Sequence, residues 1–143
     1  MLDPKPTMVV DTNVVLNRWL FQDAATIALL GTLTLSHRWV GTPWMLAEAM
    51  RVAAAPHLSK YRRGDFSTNL QALSQAYTAH VEMLVVDCVS PLRCRDPDDQ
   101  VFLNLAAKTE SRLLLTLDRD LLKLRKRAAV LGLQIVEPLK YQP

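Results

Sequence analysis

A chain of 143 residues, half of them apolar and 22% charged, has the size and composition of one globular domain, expected to span 1–143, and not those of a disordered tail. Its 17 basic and 14 acidic residues leave a net charge of +3, which permits a nucleic-acid partner without requiring one. The leading MLDPKPTM lacks the basic region and apolar stretch of a secretion signal, and apolar runs such as TIALLGTLTL are broken by Thr and Gly, so a cytoplasmic protein with no membrane contact is expected.

In chain order, MVVD at 8–11 reads as a strand, followed by a helix from about 14 to 31 that carries Val14, Leu16, Trp19, Leu20, Ile27 and Leu30. RWVGTP is a short strand running into Pro43, which suits the first turn of a helix containing WMLAEAMRVAAA, and Pro56 stops that helix. A short helix is expected over 57–64, then Ser67 as the cap of an amphipathic helix with Leu70, Leu73, Ala76 and Tyr77 at helical spacing. VEMLVVD at 81–87 is the next strand. The remainder reads as a helix in DPDDQVFLNLAAKTES, a buried strand in RLLLTLD, a helix in RDLLKLRKRAAVLG and a final strand in LQIVEP. Strand and helix alternate throughout, which predicts an α/β fold with a parallel sheet and helices on both faces.

Cys88 and Cys94 are too far apart for a CxxC pair, and His37, His57 and His80 show no HxxxH or HExxH spacing. Reduced thiols are expected and a zinc hydrolase is not. The carboxylates are more informative, because in a parallel sheet ligands sit just outside the carboxyl ends of the strands. Asp11 ends the first strand and Asp118 ends LLLTL; Asp96, Asp98 and Asp99 open a helix, and Glu48 lies one turn into the helix after WVGTP.

Helix capping is a competing explanation for most of these acids. Asp96 fits an N-cap with Pro97 at the first helical position, Asp118 and Asp120 fit a cap and a first-turn acid, and Asp11 could cap the first helix. Glu48, among Leu46, Ala47, Ala49 and Met50, has no capping role open to it. Four clustered carboxylates would repel one another unless a cation neutralised them, and an oxygen-only ligand set favours Mg²⁺ or Mn²⁺ over zinc. The chemistry implied is phosphodiester hydrolysis.

Taken in order, MVVDTNVVL, PWMLAEAMRVA, CRDPDDQVFLNLAAKTESRLLLTLDRDLL and LQIVEP make nearly the whole chain resemble a PIN-domain protein of the toxin type found in toxin–antitoxin systems. The resemblance implies a three-layer α/β/α sandwich with a central parallel sheet and a metal-dependent ribonuclease. Asp11, Glu48, Asp99 and Asp118 match the family's four acids, which would bind one or two Mg²⁺ ions. Thr12 and Asn13 match the small polar pair after the first acid, and Thr116 the polar position before the fourth; Asp96, Asp98 and Asp120 flank the site. It further implies cleavage of RNA with the phosphate left on the 5′ side, a homodimer, and a cognate antitoxin protein that blocks the site.

Two basic clusters, SKYRRGD and KLRKRAAV, would then supply RNA contacts through Arg62, Arg63, Lys123, Arg125 and Lys126, although any single one of these reads more readily as part of a solvated helix face. A haloacid-dehalogenase-type phosphatase would want Asp where Asn13 stands, and no GxxxxGK[ST] loop occurs. The rival from another class is a non-catalytic PIN-like module that binds RNA or protein through a vestigial site.

Overall fold

The short apolar runs of this chain are dense in Val and Leu and too brief for helices, and they pair into a sheet in the computed structural model, which describes residues 4–61 and 66–143. The strands are β1 (Thr7–Val10), β2 (Arg38–Gly41), β3 (Glu82–Met83), β4 (Leu113–Leu115) and β5 (Gln134–Val136). Their spatial order is β3-β2-β1-β4-β5, and every neighbouring pair is parallel. Val9 on the central strand lies opposite both Val40 and Leu114. All residues of β1 and β4 are buried, as uninterrupted apolar runs must be when both faces of a sheet are covered.

The connecting helices are α1 (Thr12–Trp19), α2 (Ala24–Ser36), α3 (Pro43–Ala53), α4 (Phe66–His80), α5 (Pro97–Thr109), α6 (Arg119–Leu122) and α7 (Arg125–Val130). Right-handed crossovers through this strand order put α1–α4 on one face and α5–α7 on the other. The packing agrees: α1 contacts α2 and α3, α3 contacts α4, α5 lies on β1 and β4, and α7 on β5. This is the expected α/β/α sandwich. The strand order reverses between β1 and β4, so the chain leaves these two neighbours toward opposite layers and opens a crevice at their carboxyl ends.

Five local expectations change. The single helix over 14–31 is two: the N–H groups of Leu20 and Phe21 both bond back to Leu16, Gln22 turns the chain at φ +53°, and Asp23 restarts it as the cap of α2. Asp23 Oδ2 accepts the Thr26 N–H at 2.9 Å and its hydroxyl at 2.7 Å. The helix expected over the RDLL stretch likewise breaks at Leu124 (φ −90°, ψ 1°) into α6 and α7. The strand expected over 81–87 pairs only through Glu82 and Met83, because β2 ends at Gly41; Leu84 makes one last bond to the Gly41 carbonyl at 2.9 Å, and Val85 is exposed. Ser67 falls inside α4 and not at its cap, since that helix begins at Phe66. The helix expected over 57–64 is a 3₁₀ segment, Pro56–Tyr61; positions 62–64, and with them Arg62 and Arg63, lie outside the described residues.

On the α1–α4 face, Trp19 stacks on Trp39 with centroids 5.2 Å apart, and Tyr77 meets both rings edge-on. Gly41 makes this closure possible: a Cβ there would lie 2.7 Å from Val81 Cγ1 and closer still to the Tyr77 hydroxyl.

Candidate active site

Asp11 is the first residue past β1, and its N–H still bonds the Leu115 carbonyl of β4 at 2.9 Å. It also caps α1, since the Val14 and Val15 N–H groups bond its carbonyl. Only 4% of the residue is exposed. Its Oδ1 accepts the Thr12 N–H and its Oδ2 the Thr116 hydroxyl, each at 2.6 Å. Thr116, fully buried, in turn accepts the Asp118 N–H at 2.9 Å, so one hydroxyl ties the two sides of the crevice together. Burial raises the Asp11 pKa to about 6 against both hydrogen bonds, and the charges of Asp118 and Glu48 add to the rise.

Glu48 stands in the second turn of α3, a helix started by Thr42 as cap and Pro43 at its first position. Its Oε2 accepts the Thr12 hydroxyl at 2.7 Å, and Arg51 reaches Oε1 from one turn on at 3.9 Å. The Glu48 pKa is raised chiefly by burial; Thr12 and Arg51 oppose the rise, while Asp98 and Asp96 add to it. Thr12 therefore joins β1's exit to α3 by using its backbone on Asp11 and its side chain on Glu48.

The acidic triplet at the start of α5 divides by helical geometry. Asp96 caps the helix, its Oδ1 accepting the Asp98 N–H at 2.9 Å, and Asp96 and Asp98 are exposed. Asp99 shares a face with Phe102, Leu103 and Ala106, at spacings of three, four and seven, and is buried with them. Among the described residues its Oδ2 has no hydrogen-bond partner. Burial raises the Asp99 pKa to about 7, with Asp118 and Asp11 as the next causes.

Asp118 leaves β4 and caps α6, its Oδ1 accepting the N–H groups of Asp120 and Leu121 at 2.8 and 3.3 Å. Asp120 pairs with Lys123 at 3.7 Å. One carboxylate oxygen from each of Asp99, Asp118 and Asp120 lies within 4.8 Å of the other two. An orphaned buried oxygen beside two further carboxylates, with only oxygen donors in the group, fits a hard divalent cation and not zinc. The anionic field extends to Cys94, whose thiol pKa is raised by burial and then by Asp99, Asp118 and Asp120.

All four acids matched to the family thus face the crevice, with Thr12 and Thr116 as their hydroxyl partners. Asn13 does not join them: it is exposed and makes no side-chain hydrogen bond among the described residues. Asp120, expected only to flank the site, is part of its tightest group. The signal was legible as Asp-x-Asp at a helix start, where the first and third positions crowd the same N-terminus. Of the basic residues, Lys123 stands at the rim, whereas Arg125 and Lys126 line a separate groove along β5. A groove of about 910 Å³ opens at the opposite edge of the sheet beside Lys5, Arg112 and Leu133, away from the acids.

The family model described as the PIN domain matches residues 7–120, from the first residue of β1 to Asp120. A comparison with curated proteins finds no match.

Proposed function

Because the chain belongs to the PIN-domain family, whose members are generally nucleases, we propose that it is a metal-dependent endoribonuclease that hydrolyses RNA phosphodiester bonds as the toxin of a type II toxin–antitoxin pair. The observation that carries the metal dependence is the buried, unpartnered oxygen of Asp99 among other carboxylates, since such a group is costly unless a cation faces it. Asp11, Glu48, Asp99 and Asp118 would hold Mg²⁺ or Mn²⁺. Bound there, the ion supplies Lewis acidity that neutralises charge on the scissile phosphate and eases loss of a proton from water.

The chain's own residues do the rest by orientation. Thr116 and the Thr12 N–H fix both oxygens of Asp11, and the Thr12 hydroxyl fixes Oε2 of Glu48, leaving Oε1, which among the described residues meets only Arg51 at 3.9 Å, to accept the proton of an attacking water. A raised pKa makes Glu48 a better acceptor near neutrality. Lys123, Arg125 and Lys126, with Arg62 and Arg63, would draw the RNA backbone toward the acidic edge. A cognate antitoxin that covers the crevice, and assembly as a homodimer, belong to the same proposal.

The test is an RNA-cleavage assay on a mixed pool of structured and unstructured RNAs, with wild type, Asp11→Asn and Asp99→Asn compared with and without EDTA. Cleavage that requires Mg²⁺ or Mn²⁺ and falls about a hundredfold or more in either variant is expected, because each substitution weakens both ion binding and transition-state charge stabilisation. Cleavage that survives EDTA and both substitutions would overturn the proposal.

A further inference from the structure

Of the three tryptophans, Trp19 and Trp39 are spent on the fold, stacked on each other beneath α4, whereas Trp44 packs on no other ring among the described residues and is 42% exposed. One exposed apolar side chain is ordinary on a protein surface. What sets Trp44 apart is its phase. The helix α3 begins two positions past β2, the neighbour of β1, so its first turn stands at the same edge of the sheet as Asp11. Trp44, Glu48 and Arg51 follow at spacings of four and seven and share one stripe of that helix, about 10 Å long at 1.5 Å per residue. The direction of the stripe is fixed by Glu48, which accepts the Thr12 hydroxyl of α1 at 2.7 Å and feels the charges of Asp98 and Asp96 at the start of α5. Helical side chains lean toward the N-terminus, so the indole projects over the mouth of the crevice, one turn before Glu48. Arg51 stands one turn after it, with 71% of its side chain exposed.

We propose that Trp44 and Arg51 form a substrate subsite on either side of Glu48, in which the indole stacks on an unpaired base of the RNA and the guanidinium neutralises a phosphate of the same strand. The inference rests on the nuclease reading and names the form of RNA that the crevice admits: a loop or a single strand. The clustered acids make the crevice anionic, so the sugar-phosphate backbone is repelled there and affinity has to come from groups that do not depend on that field. Stacking is such a contact, because an indole engages the face of a base whatever its sequence. A base within a duplex already has both faces covered by its neighbours, which leaves none for Trp44. Arg51 approaches Glu48 only at 3.9 Å, the geometry of a weak exposed pair, so turning its guanidinium to a phosphate costs little. A phosphate also offers it the paired oxygens that suit a guanidinium fork.

The probes are a labelled unpaired RNA of about ten nucleotides and the same strand annealed to its complement. Binding is read with Mg²⁺ in an Asp11→Asn background, where cleavage is suppressed, by the anisotropy of the RNA and the tryptophan emission of the intact chain. Cleavage is read without that background, and melting curves check each variant's fold. Trp44→Ala is expected to weaken binding of the unpaired strand about tenfold or more and that of the duplex less than about twofold. Trp44→Phe should recover most of the affinity yet lose the quench that the unpaired strand causes, since the quenched emission is that of Trp44. Arg51→Met should weaken binding about two- to fivefold and flatten its salt dependence by up to about one unit of slope. In the cleavage assay Trp44→Ala should raise KM more than it lowers kcat. Equal affinity of Trp44→Ala and its parent for the unpaired strand would overturn the base contact and leave the ring to a protein partner; an equal loss for the duplex, or a parent that binds neither RNA, would overturn it as well. An unchanged salt slope in Arg51→Met would overturn the phosphate contact. Binding that discriminates as described without metal-dependent cleavage would sink the nuclease reading and leave the subsite standing. Metal-dependent cleavage with KM unaltered in Trp44→Ala would do the reverse.

Discussion

Asp99 is buried by the same helical face that buries Phe102 and Ala106, so its carboxylate is desolvated by the packing that makes α5 fold. Its pKa of about 7, and the value of about 6 for Asp11, both lie above the ordinary 3.8. A carboxyl that holds its proton more tightly folded than unfolded favours folding most below pH 4, and that advantage is lost as the pH rises through the folded pKa. The metal-free protein is therefore expected to lose stability from about pH 4 to about pH 7, with Asp11 alone contributing on the order of 3 kcal/mol. Asp99→Asn should stabilise the metal-free chain at pH 8 and flatten this dependence, because an amide carries no charge to desolvate and can donate to Asp118. Urea denaturation in EDTA at pH 5 and pH 8 measures both; a steeper dependence in the variant would contradict the assignment. Thr116→Val makes the opposite prediction. It removes the donor to Asp11 and the acceptor for Asp118 N–H within a fully buried spot, so a loss of about 2–4 kcal/mol is expected, with Thr116→Ser close to wild type.

At the scale of elements, caps and ligands separate by what removal does. Asp96 is exposed and its side chain bonds only the Asp98 N–H among the described residues, so Asp96→Ala should cost about 1 kcal/mol and leave metal binding nearly unchanged. That was readable from Asp-Pro-Asp-Asp at a helix start. Which of the following acids turns inward was also readable, since only Asp99 is in phase with Phe102 and Ala106. The break between α1 and α2 was not: apolar residues on both sides keep helical spacing, and the interruption depends on Gln22 turning the chain and Asp23 bonding Thr26. Gly41 is a further case where a tertiary contact sets the requirement. Gly41→Ala should destabilise by about 1–3 kcal/mol, seen as a lowered urea midpoint, because a Cβ collides with Tyr77 and Val81 over the end of β2.

Across the whole molecule, the reversal of strand order between β1 and β4 brings carboxylates from four separate connections to one edge. Among the described residues no helix is long and apolar enough to cross a membrane. A cation that binds only the folded cluster should raise the melting temperature by mass action, by the equivalent of about 2.7 kcal/mol at a hundredfold excess over Kd. Mn²⁺ titrated into a thermal melt checks it, and an unmoved midpoint across millimolar Mn²⁺ would contradict it. For RNA, a Lys123/Arg125/Lys126 triple Ala variant should bind more weakly and with a flatter salt dependence, by up to about one unit of slope for each phosphate that is no longer neutralised. Since Arg125 and Lys126 line the β5 groove and only Lys123 of the three stands at the acidic rim, a slope flatter by about one unit would point to Lys123 alone.

The alternation of apolar runs with amphipathic stretches, the acids directly after MVV and LLLTL, and Glu48 inside an apolar helix determined the parallel α/β architecture and the candidate acids from the sequence alone. These are local properties: hydrophobic period, helix caps and the residue that ends a strand depend on neighbours in the chain. The tertiary structure decided what depends on separate segments meeting. The Thr116 hydroxyl bridges Asp11 and Asp118 across 105 positions of chain in its bond to Asp11, Thr12 holds Glu48 of another helix, and Asp120 closes on Asp99. It also decided the charge state of these acids, because desolvation is set by the whole packed surroundings of a carboxylate and not by the residues on either side of it.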